Sequence, residues 1–163
     1  MILLGLGANL PSDFGSPEET IKRCIGDLPS YGITVLKASS VWESAPVPIS
    51  DQPWYKNAVC LIETEHTPQD LLNIIQNIEH DFGRIRSIRN AARVIDLDLL
   101  AYNDIISDNK LLELPHPRMH ERAFVLLPLQ EIASDWTHPV TRKTLSALIK
   151  NLPEDQKIRK VTA

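Results

Sequence analysis

Two aspartates separated by one residue stand in an apolar run, RVIDLDLL, at residues 93–100. Because side chains alternate between the two faces of a β-strand, Asp96 and Asp98 are expected on one face and the flanking Ile and Leu side chains on the other. Two residues of strand rise place the carboxylates about 7 Å apart, where they repel by roughly 2 kcal/mol at an effective dielectric of about 20. A bound cation would relieve this repulsion, whereas the alternative is a solvated face on an edge strand.

Positive charge lies directly before this strand, in RIRSIRNAAR at residues 84–93, which carries Arg84, Arg86, Arg89 and Arg93. Guanidinium groups pair with phosphate oxygens, whereas carboxylates bind magnesium through oxygen. The acidic and basic groups together are therefore typical of a site for a nucleoside triphosphate bridged by metal. The alternative is a solvated loop whose surface ion pairs contribute about 0 to 1 kcal/mol each.

The common glycine-rich phosphate loops do not occur in the sequence. No G-x-x-x-x-G-K-[ST] motif is present, and GLG at residues 5–7 does not continue into a dinucleotide-binding fingerprint. Gly7 is interpreted as a turn residue. A nucleotide site in this chain is therefore expected to depend on arginines and aspartates.

The segment PHPRMHER at residues 115–122 brings His116, Arg118, His120 and Arg122 close together. Either histidine can donate a hydrogen bond to phosphate or lie on the surface. The spacing of the histidines suits zinc, but no cysteine or further histidine completes a ligand set. Zinc is therefore set aside.

A second loop, SAPVPISDQPWYKN at residues 44–57, mixes prolines with two aromatic side chains. Trp54 and Tyr55 can cover a flat heterocycle while Asn57 reads its polar edge. An equally good interpretation of Tyr55 places it in the hydrophobic core. The loop is thus a candidate binding rim.

The pattern of apolar residues and caps predicts the elements that hold these groups. Ser16, Pro17 and Glu19 form a capping box that begins one helix, and Thr67 and Pro68 begin another. With the intervening apolar runs, the predicted order is βαββαβ, an α+β, ferredoxin-like core in which both helices pack on one face of an antiparallel sheet. The predicted strands cover residues 2–7, 33–44 and 56–65 and the aspartate run, and the second helix ends at Gly83.

The last third of the chain predicts a C-terminal helical extension. A helix is expected to begin near Arg122, with a break or restart at Pro128, and an amphipathic helix is expected near residues 144–151. No linker interrupts the sequence, so residues 1–163 are expected to form a single domain.

Composition limits the classes of partner. The net charge of −4 disfavours broad contact with nucleic acid or an anionic membrane. Cys24 and Cys60 each fall where an apolar residue is expected, which indicates buried thiols in a reducing compartment. The apolar run at the N-terminus is too short for a membrane span and lacks the basic residues of a signal peptide. We expect a cytoplasmic protein, and a monomer.

Taken together, RNAARVIDLDLL at residues 89–100 resembles the signature of the 6-hydroxymethyl-7,8-dihydropterin pyrophosphokinase family of folate biosynthesis. The resemblance covers nearly the whole chain, through GANL at 7–10, SSVWESAPV at 39–47, DQPWYKNAV at 51–59, GRIR at 83–86 and LPHPRMHERAFVLLPL at 114–129.

The resemblance implies a ferredoxin-like fold and transfer of pyrophosphate from ATP, the co-substrate, to the pterin hydroxymethyl group, with release of AMP. It implies that Asp96 and Asp98 hold two magnesium ions and act in catalysis with Arg84 and Arg93. The pterin pocket is expected to consist of Ser44, Ala45, Val47, Tyr55, Asn57 and Phe124. The residues expected to bind ATP are Gln76, Glu79, Arg84, Arg86, Arg93, His116 and Arg122.

The sequence departs from the commoner family pattern in three places. Residues 90–92 read Asn-Ala-Ala where many members have tryptophan, glycine and proline, so no indole is available there to stack on the pterin. Ser44 and Ala45 replace threonine and proline. Leu111 stands where some members have an arginine, which leaves open what supports the nucleotide on that side.

Two other functions remain open at this point. A palm-type nucleotidyltransferase or cyclase can present paired acidic residues to metals on the same fold, and it would release free pyrophosphate rather than AMP. A ferredoxin-like RNA-binding module would need exposed aromatic or basic residues on its sheet, and the strands lack that pattern.

Overall fold

The computed structural model describes residues 1–46, 50–83 and 94–161. Along the first two thirds of the chain its strands and helices follow the order βαβββαβ, and a hairpin, two helices and a last short strand come after them. In chain order they are β1 (Ile2–Ala8), α1 (Pro17–Asp27), β2 (Thr34–Ala38), β3 (Trp42–Ser44), β4 (Tyr55–Glu63), α2 (Pro68–Gly83), β5 (Asp96–Tyr102), β6 (Ser107–Asn109), β7 (Leu112–Leu114), α3 (Ala123–Ile132), α4 (Leu145–Lys150) and β8 (Ile158–Lys160).

The main sheet has six strands, all paired antiparallel, and follows the spatial order β5, β1, β4, β3, β8, with β2 also paired to β4. Strands β6 and β7 form a separate hairpin. The predicted antiparallel sheet with helices is therefore confirmed. Strand β1 lies between β4 and β5, which places its residues beside the aspartate strand.

Helices cover both faces of the sheet. On one face, α1 and α2 pack against alternate residues of β1, including Leu4 and Leu6. On the other face, α3 and α4 pack around Leu3 of β1, Val59 of β4 and Leu100 of β5. Because neighbouring residues of each strand face opposite helical layers, the strands are apolar on both sides over much of their length.

The capping signals at the helix starts were read correctly. Ser16 Oγ accepts a hydrogen bond from the Glu19 N–H at 3.2 Å, and Glu19 Oε1 accepts one from the Ser16 N–H at 3.2 Å. Hydrogen bonding of the Glu19 carboxylate to the backbone N–H and to the side chain of Ser16 lowers the pKa of Glu19. At the start of α2, Thr67 Oγ1 accepts from the Asp70 N–H at 3.2 Å. Both helices therefore begin where local side-chain chemistry places them.

The single strand predicted over residues 33–44 is wrong, because the structure divides it into β2 and β3. At the break, Ser39 Oγ accepts the N–H of Val59 at 2.9 Å, in the place that a strand carbonyl would take. The Ser39 N–H still donates to the Val59 carbonyl at 2.9 Å. A serine side chain thus substitutes for a ladder hydrogen bond and ends the regular pairing.

The break predicted at Pro128 is also wrong. Helix α3 runs through this proline, which has no N–H to donate to the carbonyl four residues earlier. Val125, Leu126 and Leu129 are buried against the sheet, and this packing outweighs the missing hydrogen bond. The hairpin β6–β7 and strand β8 were not predicted. Among the described residues, no helix has the length and apolar content needed to cross a membrane.

Candidate active site

An open cavity of about 870 Å³ lies on the face of the sheet that α3 covers. Its floor comes from β1, β4 and β5. Its walls are the end of β3, the turn before α3 and the C-terminal segment that precedes β8. Of the predicted site residues, the cavity brings together Ser44, Ala45, Tyr55, Asn57, Asp96, Asp98, Arg122 and Phe124.

Two glycines of β1 create the open floor of the cavity. In the strand register, Gly7 lies opposite Asp96 and Gly5 lies opposite Asp98. A Cβ at Gly5 would stand 3.3 Å from Leu100 Cδ1, and one at Gly7 would stand 3.5 Å from Asn57 Oδ1. The interpretation of Gly7 as a turn residue is therefore wrong, because Gly7 lies inside β1. Its missing side chain leaves room beside the carboxylates.

Asp96 and Asp98 lie on one face of β5, as the alternation predicted. Both line the cavity, while Leu97 and Leu99 are buried in the opposite layer. Strand β5 is the edge of the sheet, and the N–H of Leu97 donates to Glu79 Oε2 of α2 at 2.9 Å. Glu79 therefore anchors the residue between the two aspartates from the far side of the strand.

Asn57 lines the cavity next to Ser44 and Tyr55. Its Nδ2 donates to Ser44 Oγ at 2.8 Å and to the Tyr55 carbonyl at 3.4 Å. Since the Tyr55 carbonyl can only accept, the amide nitrogen must point toward it, and Oδ1 lies on the Gly7 side. The side chain is 5% exposed, so Asn57 presents a fixed acceptor to the cavity.

Tyr55 and Phe124 contribute aromatic surface to the same cavity. The sequence left open whether Tyr55 covers a ligand or packs in the hydrophobic core, and in the structure Tyr55 lines the cavity. The guanidinium of Arg122 lies over the ring of Phe124, with Cζ 5.3 Å from the ring centroid. A cationic group and an aromatic face are therefore held together on the wall opposite Ser44.

His116 lies beside the cavity rather than in its lining. Its Nδ1 accepts the N–H of Arg118 at 3.2 Å, so the proton of the neutral ring is on Nε2, which is left as a donor. Burial lowers the pKa of His116, while the charge of Asp98 acts in the opposite direction. His116 is therefore an uncharged hydrogen-bond donor near the carboxylates at neutral pH.

Other predicted residues do not line the cavity. Gln76 and Glu79 belong to α2, which packs on the opposite face of the sheet, and Gln76 is exposed. Their assignment to ATP stays a prediction. Val47, Arg84, Arg86, Arg89 and Arg93 lie outside the described residues.

Several cavity residues were missed in the sequence. Arg118 of PHPRMHER lines the cavity although no role was predicted for it, and Glu121 of the same segment was not predicted. The C-terminal residues Asp155, Gln156 and Lys157 also line the cavity. No local signal marks them, because they reach the site through the pairing of β8 with β3.

The donor set fits magnesium better than a metal that needs a complete protein cage. Among residues 1–46, 50–83 and 94–161, no group of three or more His, Cys, Asp or Glu side chains could hold a metal ion. Magnesium is usually bound by one or two carboxylates, with water and substrate phosphates completing its coordination. The pair of carboxylates beside an open cavity meets that requirement.

The model of one protein family, described as 7,8-dihydro-6-hydroxymethylpterin-pyrophosphokinase (HPPK), matches residues 3–134. The chain is 38% identical over 157 residues to 2-amino-4-hydroxy-6-hydroxymethyldihydropteridine pyrophosphokinase of Haemophilus influenzae, covering 96% of this chain and 95% of that protein. It is 40% identical over 124 residues to the protein of the same name from Bacillus subtilis, covering 76% of this chain and 74% of that one.

Some relatives are much longer. The chain is 36% identical over 161 residues to the folic acid synthesis protein FOL1 of Dictyostelium discoideum, covering 99% of this chain but spanning only 24% of that protein. Among solved structures, wild-type HPPK-DHPS of Plasmodium falciparum has a TM-score of 0.70 at 13% identity, over 91% of this chain and 44% of that one. A crystal structure of HPPK-DHPS in complex with substrates has a TM-score of 0.69 at 13% identity, over 91% and 42% respectively.

The structural likeness establishes the fold, and the family model together with the identities of the bacterial relatives establishes the family. On this evidence, the chain belongs to the 7,8-dihydro-6-hydroxymethylpterin-pyrophosphokinase family.

Proposed function

We propose that this protein transfers pyrophosphate from ATP to the hydroxymethyl group of 6-hydroxymethyl-7,8-dihydropterin and releases AMP, a step of folate biosynthesis. The observation that carries the proposal is a single cavity in which Asp96 and Asp98 stand beside the fixed acceptor of Asn57. Membership of the HPPK family supplies the identity of the two substrates.

The architecture supports a ferredoxin-like core with a C-terminal helical extension. The order β5, β1, β4 and then β2 or β3, with α1 and α2 on one face, corresponds to the split βαββαβ unit. Helices α3 and α4 would be the extension that closes the other face. We take residues 1–163 as a single domain, because both hydrophobic clusters share the same sheet.

In the proposed ground state, the pterin ring lies between Tyr55 and Phe124. Asn57 Oδ1 accepts hydrogen bonds from the N–H groups of the heterocycle, and Ser44 and Ala45 contact its edge, with Val47 as a further expected contact. Because Asn57 is held by Ser44 Oγ and the Tyr55 carbonyl, this acceptor is oriented before the substrate arrives.

The triphosphate would extend along β5 toward the turn before α3. Asp96 and Asp98 would hold two magnesium ions, whose positive charge would neutralise the charge of the phosphates. Arg122 and the Nε2–H of His116 would contact phosphate oxygens from the protein side. The arginines predicted to bind ATP, Arg84, Arg86 and Arg93, are expected to pair with phosphate oxygens.

The reaction would be an in-line attack of the substrate hydroxyl on the β-phosphorus, with AMP as the leaving group. Positioning and electrostatic stabilisation do most of the work in such transfers. No side chain of the described cavity is needed as a strong base, and an aspartate engaged with a metal is a poor proton acceptor. The residues of this chain orient the two substrates and stabilise the charge that moves toward AMP.

The test is to incubate the protein with ATP, magnesium and 6-hydroxymethyl-7,8-dihydropterin and to separate the products by chromatography. We expect AMP and the diphosphorylated pterin in equal amounts, and neither when the pterin is omitted. Release of free pyrophosphate without AMP would instead support a nucleotidyltransferase or cyclase. Size-exclusion chromatography of the same sample tests the expected monomer.

A further inference from the structure

The C-terminal segment, residues 153–161, connects two opposite walls of the cavity. On one side, β8 pairs with β3, and the carbonyl of Lys157 accepts the N–H of Ala45 at 3.0 Å. On the other side, the carboxamide of Gln156 reaches the turn that leads into α3. The segment thus touches both the wall that carries Ser44 and Ala45 and the wall that carries Arg122 and Phe124.

Gln156 makes two hydrogen bonds that run in opposite directions. Its Oε1 accepts the N–H of Ala123 at 2.8 Å, and its Nε2 donates to the carbonyl of Glu121 at 2.7 Å. The first of these belongs to the peptide group that follows Arg122, and the second to the peptide group that precedes it. A carboxamide satisfies both because it carries one acceptor and one donor group.

The two bonds therefore hold the peptide planes on both sides of Arg122. This residue has an extended backbone, with φ −112° and ψ 114°, between a 3-10 turn and the first turn of α3. Its side chain makes no capping hydrogen bond to the helix. Gln156, which is 33 residues away from Ala123 in the chain, supplies an acceptor for the first N–H of α3, one of the four at a helix start that have no partner within the helix.

We infer that Gln156 is a positioning residue for the active site: by holding both peptide groups that flank Arg122, it fixes the direction in which Arg122 and Phe124 enter the cavity. This inference rests on the proposed function for the identity of the ligand. Gln156 then acts on the ligand through Arg122. The C-terminal segment thereby gains a role in substrate binding that its local sequence does not indicate.

The test compares Gln156→Met, which removes both hydrogen bonds at similar length, with Glu154→Met, an exposed neighbour that does not line the cavity. Calorimetry with magnesium and α,β-methylene ATP measures nucleotide binding, steady-state AMP release measures kcat and KM, and thermal melting measures the fold. We expect Gln156→Met to weaken binding of the analogue roughly tenfold, because a small displacement of a binding group is costly, while Glu154→Met binds as the wild type does.

A double-mutant cycle separates positioning from general stabilisation. In an Arg122→Ala background, Gln156→Met should change analogue binding by less than about twofold, since the residue through which it acts is gone. Equal losses with and without Arg122, or wild-type binding and turnover by Gln156→Met, would overturn the inference. If the methionine variant does not fold, Gln156→Asn replaces it, because the shorter carboxamide cannot span both peptide groups.

The wild-type controls distinguish failure of this inference from failure of the proposed function. A wild-type chain that binds the analogue but releases no AMP refutes the pyrophosphokinase activity and leaves the binding comparison to decide the role of Gln156. A wild-type chain that does not bind the analogue overturns both.

Discussion

Asp96 and Asp98 stand in different surroundings although a single residue separates them. Asp96 is half-buried and lies opposite Gly7, whereas Asp98 is exposed and lies opposite Gly5. Both line the cavity, and the absence of side chains at Gly5 and Gly7 leaves space for a ligand between them and Asn57. At the residue scale, the proposed site therefore depends on two carboxylates and one amide whose relative positions are set by the sheet.

Asp96→Asn and Asp98→Asn should each lower kcat for AMP release by roughly 100-fold or more, because each removes a charge that holds the metal and the phosphates. The melting temperature should change little, since removing one of two like charges relieves repulsion. Steady-state assays and thermal melting check both expectations, with Asp108→Asn on the exposed hairpin as the matched control. Near-normal turnover by either variant would contradict the metal assignment.

Asn57→Leu should raise KM for the pterin by about 100-fold, because the heterocycle would lose its fixed acceptor and leave a donor unpaired in the site. KM for ATP should change much less. Steady-state kinetics measures the two KM values. Ser44→Ala is the control, because it removes the hydrogen bond between Ser44 and Asn57 but keeps the amide oxygen of Asn57. If both KM values rise together, Asn57 has a structural role instead.

Strand alternation alone placed the aspartates correctly on one face, because this rule depends only on local backbone geometry. Asn57 could be singled out as a polar residue beside aromatic ones, and it lines the cavity, while its role in binding the pterin stays a prediction. Gln156 could not be identified in this way. Its partners lie more than 30 residues away in the chain, and nothing in its neighbourhood distinguishes it from an ordinary exposed glutamine.

At the scale of elements, β1 shapes the cavity because two of its residues are glycines without side chains. Gly5 and Gly7 project no side chains onto the cavity floor, while Leu4 and Leu6 on the other face anchor the strand under α1 and α2. The strand is therefore held firmly by one face, and its other face is open to the cavity at the two glycines. Its glycines are explained by the cavity rather than by a turn.

Gly7→Val tests this interpretation. Valine favours strands, so the free energy of unfolding should stay within about 1 kcal/mol of the wild type. The added methyl groups would fill space beside Asn57 Oδ1, so KM for the pterin should rise about tenfold or more. Urea unfolding and steady-state kinetics give the two values, and Lys37→Val on exposed β2 is the control. An unchanged KM would show that the pterin does not approach β1.

Elements with local signals were predictable, and those that depend on distant partners were not. The capping box of α1 and the Thr67 cap of α2 lie within four residues of the helix starts, so the sequence displays them. By contrast, β8 forms by pairing with the free edge of β3. Helix α3 continues through Pro128 because its apolar side chains are buried against the sheet. Such outcomes depend on tertiary packing, which outweighs local propensity.

At the scale of the whole molecule, the distribution of charged side chains indicates the class of ligand better than the net charge does. The chain carries a net charge of −4, yet Arg118 and Arg122 line the same cavity as the aspartates. A nucleotide with bound magnesium matches this mixture, because its phosphates meet arginine while its metal ions meet carboxylate. Extended nucleic acid would meet the acidic remainder of the surface.

The stability of the whole molecule should fall in mild acid because of His138. This side chain is 4% exposed, and its Nδ1 accepts the N–H groups of Val140 at 3.2 Å and Thr141 at 3.1 Å. Burial lowers its pKa, and the neighbouring His120 acts in the same direction. The unfolded chain therefore takes up the proton first, and stability is lost as pH falls below the ordinary histidine pKa of about 6.5 toward the lower folded-state pKa.

Urea unfolding at neutral and mildly acidic pH measures this effect. His138→Asn keeps a side-chain acceptor for the turn but does not titrate, so its unfolding free energy should depend less steeply on pH than that of the wild type. His80→Asn on the exposed face of α2 should retain the wild-type dependence. An equally steep dependence in His138→Asn would assign the acid sensitivity to other groups, such as His116.

The proposed function depends most on coordination of the divalent cations of a nucleotide by the carboxylates of Asp96 and Asp98, in the cavity that Asn57 also lines. A crystal structure with α,β-methylene ATP, 6-hydroxymethyl-7,8-dihydropterin and saturating magnesium tests it most directly. The account predicts oxygen atoms of both aspartates at about 2.1 Å from magnesium, with the same ions contacting the phosphates. Nucleotide bound elsewhere, with both carboxylates facing solvent and no ion beside them, would contradict it.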